Sequence, residues 1–132
     1  MFCEIYTTGN RINESLVLNF LSDILVIPIK DGRYIEDENI YISVDTNDEY
    51  NQEMEKDFPN GFLYFKLLIG IDFIETVDTE FASEITGKIL KYFWENNYPA
   101  VASCTFEEML IEKGGYNNTN VPWLDFSRKK TP

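Results

Sequence analysis

The feature that most constrains the fold is an apolar run from Phe62 to Phe73, in which only Lys66 and Asp72 are charged. The run is much shorter than a membrane span and is rich in residues that favour β-structure. Because apolar residues occupy both faces for much of its length, we expect a central strand that is covered on both sides. Gly70 within it predicts a bulge or a close backbone approach.

The stretch from residue 76 to residue 96 has the clearest helical periodicity. Apolar side chains recur at four-residue steps, at Val77, Phe81, Ile85, Ile89 and Phe93. This spacing places them on one face of a helix. It predicts one long amphipathic helix over 76–96 that packs against the strands.

The remaining elements are shorter. We expect strands over 2–7, 40–44 and 99–105, and a helix that begins at Glu14 and is capped by Asn13. Residues 24–29 are strand-like, and the pattern leaves open where helix gives way to strand within 14–29. The sequence therefore predicts an α+β fold: a single two-layer domain over 1–132, with a mainly antiparallel sheet, the long helix and one or two shorter helices.

Charge and composition restrict the function. The 132 residues include 23 acids and 11 bases, a net charge of −12, and no histidine. Nucleic acid and anionic membranes repel such a surface, and histidine-dependent catalytic and metal sites are excluded. We therefore expect a binding protein with no cofactor and no enzymatic activity. The opening residues lack a signal-peptide pattern, which predicts a cytoplasmic protein.

The two cysteines are far apart in the sequence and do not suggest a disulfide framework. Cys104 lies in an apolar run, so we expect it to be a buried, inert thiol.

The acidity is concentrated between residues 31 and 57, where ten acids and two bases give a net −8. Tyrosines are interleaved with these acids. Carboxylates attract cationic side chains and aromatic rings can anchor them, so the segment is predicted to bind a basic protein. The candidate contact residues are Glu36, Asp37, Glu38, Tyr41, Asp45, Asp48, Glu49, Tyr50, Glu53 and Asp57. A plain solubilising surface remains the simplest alternative.

A metal site in this segment is the third interpretation. Residues 45–49 resemble the start of a calcium loop. The position that requires glycine is Tyr50, and the position that requires a bidentate glutamate is Lys56. The calcium motif therefore fails, and no metal ligand is assigned.

Two stretches carry a resemblance to a known class of proteins. Residues 58–65 read Phe-Pro-Asn-Gly-Phe-Leu-Tyr-Phe and run into the long strand, and residues 94–108 are followed by Gly114-Gly115-Tyr116. Together with the small, acidic, histidine-free composition, they resemble bacterial immunity proteins of contact-dependent growth inhibition and related polymorphic toxin systems. The resemblance implies a cytoplasmic protein that binds one cognate toxin in a 1:1 complex and blocks its active site.

Many such toxins are nucleases, whose substrate-binding surfaces are cationic, and an acidic surface with tyrosines can mimic their substrate. Two other functions stay open at this point. One is an acidic adaptor or nucleic-acid mimic that blocks DNA-binding proteins. The other is an enzyme that uses carboxylates and a divalent metal.

Overall fold

Six strands and two α-helices make up residues 1–124, the part of the chain that the computed structural model describes. The elements are β1 (Phe2–Thr7), α1 (Glu14–Leu25), β2 (Ile29–Lys30), β3 (Tyr34–Glu36), β4 (Ile40–Thr46), β5 (Leu67–Phe73), α2 (Thr79–Glu95) and β6 (Ala100–Cys104). Short 3-10 turns occur at Met54–Lys56, Asn60–Tyr64, Glu107–Met109 and Ile111–Gly115. The predicted α+β class is confirmed. Residues 125–132, which include the basic Arg128-Lys129-Lys130, lie outside the described residues.

All six strands join one antiparallel sheet in the order β2-β3-β4-β5-β1-β6. Strand β5 is central, as predicted, but only one of its faces is fully covered. Leu67, Ile69, Ile71 and Phe73 are buried under the helices, whereas Asp72 on the opposite face is exposed. The prediction of cover on both sides is therefore wrong for the second face.

The helical layer consists of α1 and α2 on the same side of the sheet. Asn13 caps α1, because its side chain accepts a hydrogen bond from the Leu16 amide at 2.8 Å. The helix continues to Leu25 and ends where Val26 adopts a left-handed conformation. The strand-like interpretation of 24–29 is thus wrong except at Ile29, because Ile24 and Leu25 pack on the core as helical residues.

The long helix α2 matches its prediction apart from its first turn. The Asp78 carboxylate accepts a hydrogen bond from the Phe81 amide at 2.8 Å, so the helix begins at Thr79 rather than at residue 76. Its buried residues include Ala82, Ile89 and Phe93. These contact the core formed with α1 and the sheet.

Three details of the strands also differ from the sequence pattern. Residues 60–64 form a 3-10 turn, so β5 begins at Leu67 rather than at Phe62. The pairing of β5 with both neighbours runs without interruption past Gly70, so the predicted bulge is absent. Strand β3 was not predicted, because its three residues are too few for a recognisable alternation.

A second, smaller cluster lies on the other face of the sheet, at one end only. Phe65, Val101 and Trp123 are its buried members, and Tyr6 and Phe62 pack against it. The Trp123 indole donates a hydrogen bond to the Lys56 carbonyl oxygen at 3.0 Å. The segment over 54–64 and the residues near Trp123 therefore cover this end of the second face and leave the rest of it open.

We expect Gly61→Ala to lower the free energy of unfolding by about 2 kcal/mol. A Cβ at this position would lie 2.6 Å from the Glu55 carbonyl oxygen and 2.7 Å from that of Met54, and neither backbone group can rotate away. Urea unfolding followed by circular dichroism measures the change.

Gly87→Ala is the matched control, because it adds the same methyl group inside α2. Its new Cβ would lie 3.8 Å from a methyl carbon of Ile111, an ordinary contact. It should raise the free energy of unfolding by about 0.5–1 kcal/mol. Equal effects of the two substitutions would contradict the packing described around Gly61.

Candidate protein-binding surface

The face of the sheet that the helices leave uncovered brings acids and aromatic rings together. Successive residues of a strand point to opposite faces, so the side chains that alternate with the buried ones all lie on this side. We call this surface the open face. It consists of Phe2, Glu4, Tyr34, Glu36, Tyr41, Ser43, Asp45, Gly70, Asp72 and Ser103.

The strand register sets the order of the charged groups on the open face. Tyr41 lies opposite Glu36 on one side and opposite Asp72 on the other, and Asp72 lies opposite Phe2. The Tyr41 ring also stacks on Tyr34, with ring centroids 5.2 Å apart and planes 28° apart. An aromatic pair thus lies next to two carboxylates.

Gly70 keeps the middle of the open face shallow. A Cβ on Gly70 would lie 3.5 Å from both the Phe2 ring and the Ser43 hydroxyl oxygen. The Phe2 side chain is nonetheless 53% exposed, so its ring is available to a partner. Nearby, burial and the negative charge of Glu4 raise the pKa of Tyr6, which keeps that phenol neutral.

One lysine reduces the negative charge at the edge of the open face. Lys30 on β2 forms an ion pair with Glu36, with 3.6 Å between nitrogen and oxygen. Both side chains are nearly half exposed, so the pair contributes at most about 1 kcal/mol and leaves Glu36 accessible. The carboxylates of Glu4, Glu36, Asp45 and Asp72 still outnumber this single cation.

A cleft of about 600 Å³ continues the open face around the edge of β4. Strand β3 pairs with β4 only as far as Ser43, so nothing in the sheet flanks the last residues of β4 on that side. The cleft is lined by Tyr34 and Tyr41 on one side and by carboxylates of Glu14 and Asp45, with Arg33 also contributing to its wall. Rings and carboxylates around one cavity suit a cationic side chain.

All ten residues predicted to contact a partner are exposed, but they do not form one patch. Only Glu36, Tyr41 and Asp45 lie on the open face. Asp37 and Glu38 belong to the turn that precedes β4, and Asp48, Glu49, Tyr50, Glu53 and Asp57 belong to the segment that follows β4. The seven residues of β4 separate these two groups by about 20 Å.

Asp37 has a local structural role. Its carboxylate accepts hydrogen bonds from the backbone amides of Asn39 at 2.7 Å and Ile40 at 3.0 Å. These bonds hold the turn between β3 and β4, so this carboxylate is already partly satisfied within the chain.

Two buried polar residues, neither of them among the ten, fix the acidic segment after β4. The Asn47 amide donates to the carbonyl oxygens of Leu63 and Phe65, at 3.0 and 2.8 Å. Glu55 is only 5% exposed, and its carboxylate accepts a hydrogen bond from the Thr8 hydroxyl at 2.8 Å. These hydrogen bonds fix the segment against the residues adjacent to β1 and β5, and its other acids are exposed to solvent.

Several residues of the open face and its cleft are not among the ten predicted contact residues. Phe2, Glu4 and Asp72 lie outside the acidic segment, and Glu14 lies on a helix. The three strand residues alternate with buried neighbours, so the period-two pattern of the sequence already indicated that they face away from the core. That pattern does not indicate which strands are neighbours. The sheet order is needed to assign these residues to one surface.

Comparison with protein-family models, curated proteins and solved structures gave no significant match for this chain. Within residues 1–124, no helix is long and apolar enough to cross a membrane. The same residues contain no group of three or more histidine, cysteine, aspartate or glutamate side chains placed to hold a metal ion.

We expect Glu55→Gln to remove part of the pH dependence of stability. Burial raises the pKa of Glu55, although the Thr8 hydrogen bond and the charges of Lys56 and Lys66 oppose this. Because the folded state holds the proton more tightly, this residue's contribution is full below the ordinary carboxyl pKa and is lost as the pH rises through the raised value.

The wild type should therefore lose stability relative to Glu55→Gln as the pH increases from about 4 to about 7. Urea unfolding of both proteins across this range measures the difference. Glu53→Gln, an exposed neighbour, serves as the control and should follow the wild type. A difference that stays constant with pH would mean that Glu55 titrates as an ordinary surface acid.

Proposed function

We propose that this chain is an immunity protein that binds a cognate basic toxin, a nuclease domain, in a 1:1 complex and covers its active site. The observation that carries the proposal is the open face, where four carboxylates surround a stacked pair of tyrosines and an exposed phenylalanine. The protein acts by binding alone, without a cofactor, in the cytoplasm.

The chemistry of the open face fits a surface that normally holds nucleic acid. A nuclease presents lysine and arginine to the phosphates of its substrate. Carboxylates at the strand spacing of the open face replace those phosphates, and the rings of Tyr34, Tyr41 and Phe2 offer flat apolar surfaces in place of bases. Opposite charge accelerates association, and buried aromatic anchors slow dissociation.

The cleft at the edge of β4 supplies a specific anchor. An arginine of the toxin can stack on Tyr34 or Tyr41 and meet the carboxylates of Glu14 and Asp45. Desolvated arginines and aromatic rings dominate the binding energy of many interfaces. The acids in the segment after β4, at the rim, contribute mainly to the rate of association.

Charge reversal on the open face tests the proposal. Asp45→Lys with Asp72→Lys changes two exposed acids that face the same side of the sheet. We expect the association rate with the toxin to fall at least about tenfold at low salt, with loss of protection. Partner capture from the source organism in a salt series, followed by a nuclease assay of the captured protein, supplies the toxin for this measurement.

The matched control is Glu84→Lys with Glu95→Lys on α2, which makes the same change in net charge on the helical layer. It should leave association and protection unchanged. If both double variants weaken binding equally, total charge rather than the open face is responsible. Capture of several DNA-binding proteins that are lost together as salt rises would favour the nucleic-acid mimic instead, and a captured protein without nuclease activity would contradict the toxin assignment.

A further inference from the structure

The only two cysteines of the chain lie directly opposite each other in the sheet. Cys3 on β1 pairs with Cys104 on β6, and both are free thiols. Cys3 is completely buried, whereas Cys104, near the end of the edge strand, is partly exposed and not buried as its sequence context predicts. A reagent in solvent therefore reaches the pair through Cys104.

The register places the two cysteines directly opposite each other, a position whose general backbone spacing suits a disulfide. Opposed residues of antiparallel strands have Cα atoms about 4.5 or 5.5 Å apart, depending on the kind of pair. Disulfides span Cα separations of about 4.4–6.8 Å. A bond between Cys3 and Cys104 thus requires no change in the register of β1 and β6.

The surroundings assign different chemical roles to the two thiols. Contact with the Cys3 thiol and with the Phe106 amide lowers the pKa of Cys104, against the opposing effects of burial and of the Glu107 carboxylate. The same contact with Cys104, together with burial, raises the pKa of Cys3. Because Cys104 is partly exposed and Cys3 is completely buried, Cys104 is the thiol that meets a reagent first and attacks, and Cys3 is the thiol that follows.

Thr86 on α2 adds a second observation at the same place. Its hydroxyl lies near the Cys3 thiol and lowers the pKa of that thiol, against the larger effects that raise it. Among the buried side-chain polar atoms of residues 1–124, the Thr86 hydroxyl oxygen alone lacks a conventional hydrogen-bond partner. It is a donor that is free to stabilise negative charge on Cys3.

We propose that Cys3 and Cys104 form a reversible dithiol–disulfide pair that exchanges with a low-molecular-weight disulfide such as glutathione disulfide. The Cys104 thiolate attacks one sulfur of glutathione disulfide, forms a mixed disulfide and releases one glutathione. Cys3 then attacks the Cys104 sulfur and releases the second glutathione, whose thiolate takes up the proton that Cys3 loses. The two protein thiols are oxidised, and glutathione disulfide is reduced to two thiols.

The bond would join β1 to β6, the first and last strands of the part of the chain that the structure describes. Strand β1 also carries Phe2 and Glu4 of the open face, so oxidation would hold this part of the surface more firmly. The inference does not rest on the proposed function, because it depends only on the pair and its surroundings.

The test uses the full folded protein, incubated with excess glutathione disulfide and then alkylated and weighed by mass spectrometry. We expect a monomer that is lighter by two hydrogen atoms, with both cysteines protected from alkylation and restored by dithiothreitol. The thermal midpoint should rise by on the order of 10 °C, because the bond closes about three quarters of the chain into a loop. Unreacted thiols, a mixed disulfide as the end product, or disulfide-linked dimers would each overturn the proposal.

Two variants separate the roles of the side chains. Cys104→Ser should leave the buried Cys3 unmodified by glutathione disulfide. Thr86→Val keeps the shape of the side chain and removes the donor, so it should slow closure about tenfold and let the mixed disulfide at Cys104 accumulate, with no loss of thermal stability. Closure at the wild-type rate in Thr86→Val would remove Thr86 from the mechanism, and modification of Cys3 in Cys104→Ser would contradict the order of attack.

Discussion

The burial of one face of β5 against the two helices is the constraint on which the rest of the structure depends. Leu67, Ile69 and Ile71 are completely buried there, and each contributes about 1.5–3 kcal/mol through removal of its apolar surface from water. A shift of one residue in the register would bury Asp72 and expose these side chains. The pairing of β5 with β4 and β1 is therefore fixed, and with it the set of residues that faces solvent on the other side.

The face of the sheet opposite the helices is covered at one end and open elsewhere. Hydrogen bonds determine how far the covered region extends. Glu55 binds Thr8, Asn47 binds the carbonyl groups near Phe65, and Trp123 binds Lys56. These contacts join segments that are far apart in the chain. They hold the acidic segment against the end of the sheet, so its remaining carboxylates form a rim and leave the aromatic centre of the open face uncovered.

Strand β1 contributes residues to both the open face and the cysteine pair. It is first in the sequence yet lies between β5 and β6 in the sheet. One side of β1 places Cys3 in the core opposite Cys104, and the other side places Phe2 and Glu4 among the carboxylates of β3, β4 and β5. A change in the stability of the pairing of β1 with its neighbours therefore affects both the core and the open face.

Periodicity, capping and charge are local properties, so the α+β class, the long helix α2, the Asn13 cap and the concentration of acids could be predicted from the sequence. Three features depend on long-range contacts: the cover over one end of the second face, the burial of Glu55, and the pairing of Cys3 with Cys104. The physical reason is that strand order and register result from long-range packing. Residues 70 or 100 positions apart become neighbours only when the whole sheet buries one face.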